Sequence, residues 1–311
     1  MLSKVAERVY WTARYLERVE STARMISIYD QLLFDLPRSV KLSWYNLIRI
    51  NNQEEAFNAI YTVLDERNVV KFMLSEASNS FSVASSLKAI RENVRTTRDV
   101  VPKDTWEMTN ELSIFVQENL LQGVNRSKRH EFLETIIKGC QQILGLVYGS
   151  MPHDDAWHLL RIGRNIERAD MTTRNLEAGI SAILDMEDEL AVINSHQIIW
   201  GKVLRSLNAD HAYRRTKRVA VKDFPVAEYL LEDDEFPRSI RYNLNAIANS
   251  ARELPHSADL EVALNRITKS LPVKQNGQLF LDASFKEHLN QIQIELAELH
   301  GLIYQAWFPK I

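Results

Sequence analysis

This chain of 311 residues does without most of what would interrupt or anchor it: it has one cysteine, eight prolines, nine glycines and no run of 18 apolar residues. The lone Cys140 excludes an intramolecular disulfide and fits a reducing compartment. Its place in a helical stretch, 136–146, makes it a small core side chain and not a nucleophile. Without a long apolar run no helix spans a membrane. The opening residues Met1-Leu2-Ser3-Lys4-Val5-Ala6-Glu7-Arg8 carry charges where a leader would need an apolar core, so the expected location is cytoplasmic. An excess of charge of one sign is also missing. Against 41 acidic side chains stand 38 basic ones, a net charge of -3, which excludes the broad field that attracts nucleic acid or an anionic membrane. Any electrostatic function must be local. No glycine-rich phosphate loop, Ser/His/Asp constellation or metal-ligand cluster stands out, and no cofactor is expected.

What is present is helical patterning. With 45% apolar and 25% charged residues the composition is globular, and the apolar positions repeat every 3.6 residues. The pattern predicts an all-α, multi-helix bundle. Long helices are expected near 3–35, 80–100, 103–121, 127–149, 154–187 and 190–217. Shorter ones are expected near 40–50, 53–64 and 67–77, and after Pro225 further helices near 237–253, 257–270 and 284–307. Asp154 is positioned as a cap, Pro237 suits a first helical turn, and Ser284-x-x-Glu287 has capping-box spacing. Between Val273 and Phe280, Asn276-Gly277 suggests a tight turn, compatible with a small hairpin over 271–281. No low-complexity linker divides the chain, so one domain over 1–311 is expected, with pseudo-repeated halves near 1–150 and 151–311.

The repeat is explicit. Shifting the numbering by 150 places Arg14 on Arg164, Glu17 on Glu167, Arg18 on Arg168, Thr22 on Thr172 and Arg24 on Arg174, with Glu20 falling on Asp170. Both copies read R-x-x-E-R-x-(D/E)-x-T-x-R inside a long helix. At ~100° per residue, Val5, Val9, Ala13, Leu16, Val19 and Ala23 fill an apolar sector, and Glu20 lies within it. Glu17 and Arg24 fall on its edge. In the second copy Ile162, Gly163, Ile166, Ala169 and Thr173 fill the same sector, with Asp170 among them. A carboxylate there needs a partner, and Arg24 or Arg174, one turn later, is at the right spacing. Two readings stay open. In one, a structural ladder pairs Glu20 with Arg24 and Asp170 with Arg174, each also crossing to the other repeat. In the other, the two helices line a shared polar pocket. Six arginines beside four acids disfavour a metal, and the Glu-x-x-His pairing of di-iron bundles is absent. Arginine forks suit a carboxylate or phosphate.

Weaker candidates surround this motif. Arg91, Arg95 and Arg98 form a stripe, with Asn93 alongside and Trp106 following, which by spacing alone is a solvated face. His153 and His158 lie five apart, on different faces, and do not make a ligand pair. The cations of Asp210-His211-Ala212-Tyr213-Arg214-Arg215 suit the end of a helix. Arg238 and Arg241, by contrast, stand near a helix start, where cations are disfavoured, so something negative should face them: the acids at 233–235 or an external ligand.

The sequence Leu2-Ser3-x-Val5-Ala6-x-x-x-Tyr10-Trp11-x-x-Arg14-Tyr15-Leu16-Glu17-Arg18-x-Glu20-x-x-Ala23-Arg24 resembles the opening of the bacterial alpha-E domain proteins. The resemblance continues through Ala89-x-Arg91-Glu92-Asn93-x-Arg95-x-x-Arg98-Asp99, Trp106, and His153-Asp154-x-Ala156-Trp157. It resumes from Arg161 to Arg174 and runs on to Leu204-Arg205-Ser206, Ala212-Tyr213-Arg214-Arg215 and the stretch from Asp234 to Arg241. His211 stands where the family pattern has an acid, and no catalytic role is carried to it. The resemblance implies an all-helical protein whose gene sits beside, or fused to, circularly permuted ATP-grasp proteins and transglutaminase-like proteases. It therefore implies a partner role in peptide or amide-bond formation. The leading expectation is an accessory protein that binds an ATP-grasp-type ligase, or an anionic or peptide ligand, through the paired helices. One alternative is an enzyme with Glu17, Glu20, Glu167 or Asp170 as general acid or base. Another is a scaffold without a ligand.

Overall fold

The computed structural model describes residues 2–36, 43–184, 189–272 and 282–308, all of them in helices and their connections. Fourteen helices are present among these residues. The first seven are α1 (Ser3–Asp35), α2 (Asn46–Ile50), α3 (Glu54–Asn58), α4 (Glu66–Ser75), α5 (Val83–Arg95), α6 (Asp104–Val124) and α7 (Arg126–Ser150). The second seven are α8 (Asp155–Leu184), α9 (Glu189–Ser206), α10 (Asp210–Lys217), α11 (Asp223–Glu232), α12 (Ile240–Ala251), α13 (Ala258–Ser270) and α14 (Ala283–Trp307).

The long helices lie where the periodicity places them, and the differences have local causes. The stretch read as one helix over 190–217 is two, because Asn208 takes a positive φ of 52° and turns the chain between α9 and α10. Asn enters that region more easily than other non-glycine residues. The helix expected over 53–64 stops at Asn58. Pro225, read as a break, lies in the first turn of α11, where its missing N–H has no partner to lose. Two start signals are displaced. Ser239, not Pro237, caps α12 by accepting from the Tyr242 amide at 3.1 Å. Asp282, not Ser284, caps α14 by accepting from the amides of Ser284 and Phe285. Asp154 does cap α8, accepting from the Trp157 amide at 3.2 Å. The expected turn at 271–281 falls largely on residues outside those described.

α1 and α8 make the most extensive helix–helix contact. They run parallel: Tyr10 meets Gly163 near one end, and Leu32 joins Ala182 in an apolar cluster near the other. Each is flanked in the same way, α1 by α5 and α7, α8 by α12 and α14. Most of the buried apolar residues form two clusters. One gathers residues from α1 to α7 with Met171, the other residues from α8 to α14 with Ala6 and Tyr10. At the crossing, a Cβ on Gly163 would stand 2.3 Å from the Tyr10 carbonyl oxygen. Only glycine allows the backbones to approach this closely, and the position facing the other way in the repeat, Ala13, is also small and fully buried.

Candidate functional site

Parallel packing of two helices that carry the same motif brings equivalent side chains to the same height, and the acids are exchanged. Glu17 on α1 accepts from Arg168 on α8 through a fork, Nε to Oε1 at 3.0 Å and Nη2 to Oε2 at 2.7 Å. Glu167 on α8 accepts the matching fork from Arg18, at 2.5 and 3.0 Å. The residues three positions before each acid cross as well. Arg14 donates to Glu167 at 2.8 Å, and Arg164 to Glu17 at 3.3 Å. Both glutamates are at most 1% exposed. A helix wheel puts Glu17 at the edge of the apolar sector, and it is buried because α8 packs on that edge.

Burial pushes the Glu17 carboxyl up, but Arg168, Arg238 and Arg164 overcome this and hold it far below the carboxylate range. The same balance, with Arg18 and Arg14 as the cations, holds Glu167 at about 2. The buried carboxylates and their forked guanidinium donors satisfy one another's hydrogen-bonding capacity.

Glu20 and Asp170 each pair along their own helix, as the spacing predicts, Glu20 with Arg24 at 2.9 Å and Asp170 with Arg174 at 2.7 Å. The direct α1–α8 crossing is made by Glu17 and Glu167 instead. Around them the two halves part. The connection into α12 is pinned to α8: Thr172 donates to the Arg238 carbonyl at 2.9 Å and Arg168 to the Pro237 carbonyl at 3.3 Å. Arg238 thereby reaches 221 residues back to bridge Glu17 at 2.8 Å and Glu20 at 3.0 Å. The acids facing Arg238 are thus in α1, and the nearby Asp233 instead shapes its loop by accepting from the amides of Glu235 and Phe236. Arg241 pairs with Glu232 at 3.1 Å. Gln141 adds a further contact to Glu20 at 3.3 Å.

A cleft opens on each side of the α1–α8 pair. One, of about 440 Å³, is lined by Glu20, Tyr148, Arg164, Arg168, Phe236 and Arg238. The other, of about 490 Å³, is lined by Trp11, Arg14, Arg18, Phe81, Asp170 and His300, with Tyr15 and Arg174 also at its wall. In the second cleft Arg14 lies 4.7 Å from the Trp11 ring and Arg18 4.4 Å from the Phe81 ring. The His300 Nδ1 stands 2.8 Å from the Tyr10 hydroxyl. Burial and the neighbouring Arg14 push His300 down to about 4, so its ring is neutral at pH 7. Sequence reasoning missed Trp11, Phe81 and His300 as lining groups, since nothing in their spacing ties them to the motif.

The arginine stripe does not join this site. Arg91 donates to Asn110 at 2.8 Å, Arg95 pairs with Glu92 on an exposed face, and Arg98 stacks 4.0 Å from the Trp106 ring. Cys140 is fully buried, and burial pushes its thiol up. His153 stacks on Trp157. Among the described residues no group of His, Cys, Asp and Glu is placed to hold a metal ion, and no helix is long and apolar enough to cross a membrane.

Comparison with known proteins accords with this geometry. Residues 1–308 match the Alpha-E family, described as a predicted alpha-helical domain with a conserved ER motif. The exchanged Glu17-Arg18 and Glu167-Arg168 pairs fit that description. Among curated proteins, uncharacterised proteins of Mycobacterium bovis and Mycobacterium tuberculosis are 23% identical over 274 residues, covering 82% of this chain and 30% of theirs. The chain thus spans about 30% of the length of the curated relatives it matches. No solved structure matches it.

Proposed function

The chain belongs to the Alpha-E family, and from that premise we propose that it is a binding protein which takes an anionic group, a carboxylate or phosphate, in the arginine-lined cleft beside α14. One observation carries this reading. Arg14, Arg18 and Arg174 all border a cleft of about 490 Å³ that is also walled by the aromatic faces of Trp11, Tyr15 and Phe81, a combination suited to an organic anion. Catalysis by the central acids is disfavoured. Glu17 and Glu167 are held ionised far below neutral pH and are enclosed by their arginines, so neither carries a proton to donate or offers a free lone pair at pH 7.

Acetate tests the reading directly. Titrated into the protein, it should shift the Trp11 indole NMR signal, assigned through Trp11→Phe, along a saturable curve, and Arg14→Ala should abolish that shift. An unmoved Trp11 signal at high acetate rejects the cleft as an anion site. We further propose, from the family resemblance, that the partner is an ATP-grasp-type ligase engaged in peptide or amide-bond formation. Co-elution with an ATP-grasp-type ligase from the same genome, or a change in its rate, is expected; absence of both rejects the partnership.

Asp170 supports a second reading, that of an enzyme, because its side chain is 19% exposed in the cleft. If Asp170→Asn abolished an activity while leaving binding and stability intact, that reading would replace the first.

A further inference from the structure

The two clefts lie on opposite sides of the α1–α8 pair, and one of the positions at which their linings differ is the residue before the flanking helix. α5 packs on α1 as α12 packs on α8. Each of these flanking helices starts with a serine cap that accepts from the amide three residues on, Ser82 from Ser85 and Ser239 from Tyr242. The residue before the cap is Phe81 in the first half and Arg238 in the second. Arg238 inserts its guanidinium between the acids of α1, whereas Phe81 places its ring beside Arg18. Among the described residues, no protein cation forms ion pairs with both Glu167 and Asp170 as Arg238 does with Glu17 and Glu20. The consequence shows in exposure: the Glu20 side chain is 2% exposed and that of Asp170 19%.

Resting on the anion-site reading above, we infer that the cleft beside α14 binds a zwitterion, an amino acid or peptide terminus whose cation takes beside Asp170 the place that Arg238 fills beside Glu20. Asp170 already accepts the Arg174 fork, as Glu20 accepts from Arg24 and Arg238 together, so a second cation on it repeats a contact this fold already makes. The Phe81 ring, 44% exposed, offers a face to the same cation. The ligand's anion meets Arg14 and His300 at the other end of the cleft. Arg14 donates to the Tyr10 oxygen at 3.4 Å, and His300 Nδ1 stands 2.8 Å from the same oxygen. In the tautomer in which Tyr10 donates to Nδ1, the Nε2–H is a second donor to the anion. A partly exposed carboxylate at Asp170 and donors at Arg14 and His300, all bordering one cleft, suit a molecule carrying both charges.

Three probes separate this inference from the anion reading: L-arginine with both charges, argininamide without the anion, and acetate without the cation. Titrated calorimetrically or by the Trp11 signal, arginine should bind about tenfold or more tightly than either single-charge probe. Asp170→Asn should erase the preference for arginine over acetate. Phe81→Arg, which supplies the missing cation from within, should abolish arginine binding and raise the melting temperature. Acetate binding as tightly as arginine overturns the zwitterion and keeps the anion site, whereas no binding by any probe overturns both. Undiminished arginine binding by Asp170→Asn also overturns the inference, and decides the matter should Phe81→Arg not fold.

Discussion

At the scale of single residues, Glu17 and Glu167 are structural charges whose removal is costly. Glu17→Gln would leave Arg164, Arg168 and Arg238 facing one another around a neutral amide in a buried site, and a loss of about 3–5 kcal/mol is expected in urea denaturation. A loss below about 1 kcal/mol, the range of surface pairs, would show that the exchange is idle. These residues also set an acid limit. Because Glu167 titrates at about 2 when folded and near ~4.3 when unfolded, its contribution is complete above the unfolded value and fades as the pH falls toward 2. His300 acts earlier. It stays neutral down to about 4 when folded but takes up a proton near ~6.5 when unfolded, so stability declines from about pH 6.5 toward 4. A melting-temperature profile should therefore fall in two stages, and His300→Gln should diminish the first, to which His158 and His288, also pushed down by burial, contribute. The motif acids and arginines are legible in the sequence because the repeat names them, and the i, i+4 pairs follow from helix geometry. The exchange of Glu17 and Glu167 is not legible, because a wheel drawn for one helix does not show where its partner lies. The reach of Arg238 to α1 is hidden for the same reason, with only a misplaced cation near a helix start to signal it.

At the scale of elements, the crossing of α1 and α8 depends on Gly163. A methyl group there meets backbone, not a side chain that can swing aside, so Gly163→Ala must force the helices apart and stretch all the exchanged contacts together. A destabilisation of about 3 kcal/mol or more is expected by thermal or chemical denaturation, and native-like stability would show that the crossing adapts. Gly123 and Gly139 differ in kind, since the atoms a Cβ would meet there belong to Phe132, Leu74 and Leu112 side chains. Helix spans were readable because apolar spacing is a local property. The breaks were less so: Asn208 ends α9 through a backbone conformation that many residues avoid but none announces. Pro225 reads as punctuation until its position in a first turn is known.

At the scale of the whole molecule, the halves hold each other's charges across the α1–α8 seam and share flanking patterns on both sides. A nick introduced between Met151 and Asp154 of the folded protein should leave the two pieces associated in size-exclusion chromatography at moderate salt, since buried, forked pairs are screened little. Separation into independent species would show that the seam is weak. Reciprocal exchange between parallel copies is also the arrangement that an isologous homodimer makes, in which residue i of one subunit meets residue j of the other and j meets i. A true dimer, however, must treat its two sides alike, because every residue occurs on both. Joining the copies in one chain lifts that constraint, so one side can set Arg238 between its acids while the other sets Phe81 at the matching position. A repeat held within one chain thus lets the two sides carry different chemistry where symmetry would have made them alike.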